Sequence, residues 1–174
     1  MREVPRPLAG AIAGLVGGVA LVAVGAAARE LLRVPTLPEA LSEGATFFLP
    51  YALFEYMINT FRSQAKVYLV WGIMAVLALV SAGLGLLYAR WPTPRLAVAL
   101  ILGLWAFTLL VVLPGAGYGF LGEDLRAGTL AVMAAYLLAW AAFGIALVST
   151  YWLLVPSSRR RGEAGPVLGR SASR

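Results

Sequence analysis

LAGAIAGLVGGVALVAVGAAA, Leu8 to Ala28, decides the fold. The run has no charged side chain, and its only punctuation is glycine. Roughly 20 apolar residues, rising 1.5 Å each as a helix, cross the hydrocarbon core of a bilayer. The stretch therefore reads as a transmembrane helix that continues to Arg33. Three later runs qualify on the same ground: Val67–Ala89, Leu96–Leu113 and Gly128–Val155. Pro114 with Gly115 is expected to stop the third, and Pro156 the fourth.

Composition agrees. The 174 residues are 61% hydrophobic and 13% charged, with mean hydropathy +0.84. A water-soluble domain is about half apolar and about a quarter charged. The expected fold is an all-α integral membrane protein: a four-helix membrane domain over 1–156, with an interfacial segment at 36–64, followed by a tail at 157–174. The basic residues before Leu8 and the Ala26-Ala27-Ala28 triplet also suit a secretory signal with a cleavage site. The run is longer than a usual signal core, and the retained span is the reading adopted.

Glycines recur at four-residue spacing in the first run, at Gly10, Gly14 and Gly18. Alanines do so in the fourth, at Ala127, Ala131, Ala135 and Ala139, and Ala78, Ala82, Ser81 and Gly85 mark the second. Small residues on one helical stripe let another backbone approach closely. Two uses are open, packing inside this chain's own bundle or docking of a partner subunit.

The connection between the first two spans is the most informative loop. Thr36 and Glu39 have capping-box spacing, so a short helix is expected from there to Gly44. FFLPYALFEYMINTF, Phe47–Phe61, is too short to cross and is interrupted by Pro50. After Pro50, Glu55, Asn59, Arg62, Ser63 and Lys66 share one helical face, while Tyr51, Phe54, Ile58 and Phe61 lie away from it. That pattern predicts an amphipathic helix resting at the headgroup level, where Tyr51, Phe54, Glu55, Asn59, Phe61 and Arg62 meet lipid or a partner. Tyr68, Trp71, Trp91, Tyr118, Tyr151 and Trp152, near span ends, suit the same interfacial zone.

The chain has neither histidine nor cysteine. Imidazole-held haem, thiolate-held clusters, the usual zinc sites and disulfides are thereby excluded. Met, Tyr or carboxylate ligation, or a pigment or quinone held without a bond, stays open. A Ser-His-Asp triad cannot be built. Glu123 and Asp124 are adjacent and do not share a helix face, so they read as a solvated loop. VLPGAGYGFLGED (Val112–Asp124) lacks the phosphate-loop lysine and reads as a turn with positive-φ positions. At membrane depth the polar groups are Ser81 and Thr108, expected to bond back to helix carbonyls. No charged residue lies there to carry a proton or ion path, which counts against a transporter.

The net charge of +6 sits at the ends of apolar runs and so reports topology, with no nucleic-acid partner implied. Arg2, Arg6, Arg90, Arg95 and the five tail arginines share one side with Glu3 and Glu163. The other side holds five basic and six acidic residues. The positive-inside rule places both termini in the cytoplasm. The polar tail, with Arg159, Arg160 and Arg161, is expected to be unstructured and to rest on anionic lipid, and it is also a candidate docking peptide.

RVPTLPEALSEG (Arg33–Gly44), AKVYLVWGIMAVLALVSAGLGLLYAR (Ala65–Arg90) and VVLPGAGYGFLG (Val111–Gly122) resemble the N-terminal membrane region of bacterial molybdopterin-dependent oxidoreductases of the sulfite-oxidase type. The resemblance covers most of residues 8–155 through loose motifs. The sequence lacks the catalytic domain of that family and has no cysteine to ligate molybdenum, so no catalytic residue carries over. The resemblance implies an accessory or anchoring module of the bacterial inner membrane. The leading expectation is a non-catalytic scaffold subunit of a respiratory or photosynthetic electron-transfer complex. Its partners would be other membrane subunits and the lipid bilayer. It would have no cofactor of its own, and quinone, lipid or pigment held by partners would touch Tyr51, Phe54, Trp71 or Trp105. An anchor for a separately encoded extracytoplasmic molybdopterin enzyme, and a small channel or transporter, are the alternatives. Protease or tag accessibility in intact spheroplasts is expected to find both termini inside, and an exposed tail overturns that topology.

Overall fold

The computed structural model describes residues 4–48, 55 and 65–155. Within them the chain is helical, and four helices are long and apolar enough to cross a membrane: Arg6–Leu32, Val67–Arg90, Pro94–Gly115 and Thr129–Leu154. No strand occurs among the described residues. The elements are α1 (Arg6–Leu32), α2 (Leu37–Phe48), α3 (Ala65–Arg90), α4 (Pro94–Phe107, prolonged to Gly115) and α5 (Thr129–Leu154). The expected spans are recovered to within two residues at most ends.

Local sequence explains the boundaries. Pro5 and Pro7 flank Arg6, the first residue of α1, where a missing N–H costs nothing. Arg33 ends α1 in a left-handed conformation at φ 56°, its N–H donating to the Arg29 carbonyl at 2.9 Å. The Thr93 hydroxyl caps α4 by accepting from the Leu96 N–H at 3.3 Å, and Pro94 follows at the first helical position.

The third span ends at Gly115 as expected, but Pro114 is itself helical. The turn Thr108–Val112 is widened to π geometry, the Leu113 N–H reaching the Thr108 carbonyl, and Pro114 then sits inside the continuing helix. Proline has no N–H and collides with the carbonyl four residues back in α register. The wide turn just before it moves the backbone off that register. The helix ends beyond, where the Gly117 N–H meets the Pro114 carbonyl and the Tyr118 N–H meets the Leu113 carbonyl, both at 3.0 Å. Gly117 has φ 81°, as this two-bond cap requires.

In space the long helices run α3, α1, α5, α4. α1 packs against both α3 and α5, and α4 packs against α5. α3 and α4 are joined by residues 91–93 yet lean on different helices. Neighbours in this row are antiparallel. Gly10 meets Gly85 and Ala89, Gly14 meets Ser81, Gly17 meets the Phe143 ring, and Ile101 meets Gly144. Residues 4 and 155 therefore lie at one end, here called the terminal end, and the α1–α2 and α4–α5 connections lie at the loop end.

The α1–α3 contact is made by backbone. A Cβ built on Gly10 would stand 2.5 Å from the Gly85 carbonyl oxygen and 2.6 Å from the Ala89 Cβ. At Gly18 it would stand 2.7 Å from the Ser81 hydroxyl. Real side chains do not tolerate such distances, so this face of α1 closes only with hydrogen at these positions. The glycine stripe thus packs inside the chain. α5 is the most buried helix, with Val132, Ala135, Tyr136, Ala139, Phe143, Leu147 and Tyr151 all inside.

Gly14→Leu is expected to cost about 3 kcal/mol or to prevent assembly of the bundle, by overpacking. Gly72→Leu, at a position with nothing within 4 Å, is expected to change stability by less than about 0.5 kcal/mol. Thermal unfolding in detergent micelles compares the two.

Candidate functional site

The polar side chains gather at the loop end, around α2. The capping box forms as the spacing predicts. The Thr36 N–H donates to Glu39 Oε2 at 2.9 Å, and the Glu39 N–H donates back to the Thr36 hydroxyl at 3.4 Å. The Thr36 hydroxyl also donates to Glu39 Oε2 at 3.0 Å. The other oxygen of Glu39 pairs with the Arg29 guanidinium at 2.5 Å. One carboxylate thus caps α2 and ties it to the last turn of α1. A half-exposed ion pair is worth little alone, so its role here is to fix direction.

Three further bonds hold the same element. The Tyr118 hydroxyl, from the α4–α5 loop, donates to Glu43. The Tyr136 hydroxyl of α5 donates to the Pro35 carbonyl at 2.8 Å, and Ser42 caps back onto the Glu39 carbonyl at 2.8 Å. Val34, Leu37 and Ala40 turn inward and are buried. Val34 and Leu37 close an apolar recess with Leu21, Gly25, Ala28 and Ala139. Gly44 does not stop α2, which runs on to Phe48. It has no positive φ, and its flat side instead faces the Gly115 carbonyl, 3.4 Å from where a Cβ would be. It serves close approach to α4 and no cap.

Deeper in the bundle, polar groups satisfy one another. The Thr108 hydroxyl donates to the Leu104 carbonyl at 2.8 Å, as expected, and also accepts from the Trp140 indole at 3.0 Å. The Trp105 indole donates to the Met133 carbonyl at 3.0 Å. Ser81 is buried beside Gly18. Every buried side-chain nitrogen or oxygen among the described residues has a partner. No cluster of acidic side chains suited to a metal occurs among them, and Glu123 and Asp124 are exposed.

Of the residues singled out in the sequence, Gly10, Gly14 and Gly18 face α3, and Ala135 and Ala139 are buried, with Ala131 half-buried. Trp71 is 70% exposed, while the Trp105 indole is already engaged. Glu55 is exposed. Tyr51, Phe54, Asn59, Phe61, Arg62 and Arg159–Arg161 lie outside the described residues. Two aromatics assigned to the interface point inward. Tyr151 is 2% exposed and meets Tyr88 edge to face, with ring centroids 5.4 Å apart. Tyr118 is half-buried against α2. The Arg29–Glu39 and Tyr136–Pro35 links had only a faint sequence signal, an arginine and a capping glutamate on either side of a short joint.

Burial, followed by the hydrogen bond and charge of Glu43 and then the charge of Glu39, holds the Tyr118 phenol well above its ordinary value near 10. A raised phenol favours the protonated, folded form. The stabilisation is complete below about pH 10 and is lost as pH climbs beyond it. Tyr118→Phe is expected to flatten the alkaline limb of the pH–stability curve and to speed hydrogen exchange in α2. An unchanged limb would show that this phenol does not hold the element. Comparison with known protein families, curated proteins and solved structures gave no match.

Proposed function

We propose that this chain is a non-catalytic accessory subunit of a multi-subunit electron-transfer complex in the bacterial inner membrane, with both termini in the cytoplasm. The carrying observation is the chemistry of the bundle interior. From Pro7 to Ala28, Val67 to Ala89, Leu96 to Gly115 and Thr129 to Leu154 there is no carboxylate, amine or guanidinium. The hydroxyl and indole groups at depth are committed to structural bonds. Such an interior supports other proteins and moves neither protons nor ions.

The outer faces support the same reading. Trp71, Val76 and Leu79 on α3, and Val98, Leu102 and Phe107 on α4, are exposed apolar surface available to lipid and to neighbouring subunits. The electron-transfer assignment rests on the likeness of Arg33–Gly44, Ala65–Arg90 and Val111–Gly122 to the membrane region of molybdopterin oxidoreductases. Mild-detergent purification from native membranes is expected to recover the chain with several membrane subunits, and the assembly's absorbance spectrum is expected to carry their redox centres. Recovery with one soluble molybdopterin enzyme instead favours an anchor. A monodisperse, solitary chain overturns both.

A further inference from the structure

Of the two aromatics in the α4–α5 loop, the one expected at the membrane interface turns inward and the other turns out. The Tyr118 hydroxyl is held by Glu43 of α2. Phe120 is 64% exposed. Backbone geometry causes the exchange. Gly119 and Gly122 both have φ 73°, and Leu121 between them takes φ 57°, a left-handed conformation that strains a residue other than glycine. In it the Leu121 side chain packs against the core, and its neighbour Phe120 is left outside. A strained residue persists only where its surroundings over-determine it.

The loop also folds back beside α5. Gly122 is buried, and a Cβ there would stand 2.8 Å from Val132 Cγ1. Val132 lies three residues inside α5, about 4.5 Å below its first residue at 1.5 Å per residue. The short helical turn Phe120–Gly122 therefore flanks the apolar run of α5 and does not stand clear above it. Leu130, 82% exposed, shows that the apolar outer surface of α5 has already begun at this depth. The side chains of Glu123 and Asp124 fold over Gly119, where a Cβ would meet them at 2.7 and 2.6 Å.

We infer that the ring of Phe120 is seated in lipid, at the boundary of headgroups and acyl chains in the leaflet at the loop end, and anchors the α4–α5 loop there. A phenyl ring, unlike the Tyr118 phenol, has no hydroxyl to keep in water, and its transfer into hydrocarbon is favourable. The depth of the turn beside α5 favours lipid over a protein partner. This placement rests on the membrane reading above and is independent of membership of a complex.

The chain has no cysteine, so a single introduced cysteine carries a nitroxide spin label without background. Phe120→Cys, Glu123→Cys and Leu79→Cys, the last on the outer face of α3, are all at exposed positions and are expected to leave the fold intact. Each labelled full chain is placed in phosphatidylcholine–phosphatidylglycerol nanodiscs. Collision is then measured with oxygen, which concentrates in hydrocarbon, and with a water-soluble nickel chelate. The label at 120 is expected to favour oxygen several-fold, as at 79, while the label at 123 favours nickel. Nickel access at 120 equal to that at 123, with 79 still in lipid, overturns the inference and leaves the spans standing. Weak collision with both reagents at 120 shows cover by protein and overturns it as well. Free nickel access at 79 overturns the membrane reading and this inference together.

Discussion

The structure depends on two backbones meeting where Gly10 and Gly14 of α1 cross Ser81 and Gly85 of α3. In the membrane setting proposed above, transfer from water contributes nothing to the meeting of apolar helices, because hydrocarbon surrounds each surface before and after contact. Attraction then comes from dispersion, which falls away steeply with distance. Only a stripe without side chains brings whole turns of the two helices into range. That contact fixes the antiparallel register of α1 and α3. It thereby sets which residues share a level at each end, arginines at one and the α2 cap at the other.

α5 meets α1 by a different method. Its inner face presents Phe143 to Gly17 and small residues to the upper half of α1. Its aromatic side chains add directed bonds, Trp140 to Thr108 and Tyr136 to Pro35. An indole or phenol buried among hydrocarbon is costly without a partner. Each of these bonds therefore specifies a position as well as stabilising it. The wide turn of α4 belongs to the same arrangement, because it places Thr108 under the Trp140 indole and allows Pro114 to remain in the helix.

Features with a local cause were legible in the sequence. The four apolar runs became four long helices, since length and hydropathy act residue by residue. Thr36 and Glu39 formed their capping box because the motif needs three intervening bonds and nothing distant. The glycine-rich loop Val112–Asp124 adopted positive φ at Gly117, Gly119 and Gly122. What depended on the third dimension was less readable. Gly44 looked like a helix stop, yet its missing side chain serves a neighbour far along the chain. Tyr151 looked interfacial from its place near a span end, yet the angle of α5 turns it onto Tyr88. The Arg29–Glu39 pair appears only once Arg33 has folded the chain back on itself.

The spatial row α3, α1, α5, α4 also has a consequence for biogenesis. α1 precedes its mates in the chain, so its glycine face stays uncovered until α3 is made, and its Gly17 face until α5 follows. α4 meets α2 at its loop end before α5 is made, and its longer contact, with α5, comes after. The glycine-lined face of α1 is therefore made before its mates, and α5 completes two interfaces at once. A chain truncated before α5 leaves both surfaces uncovered, which makes α5 the element that completes the described bundle.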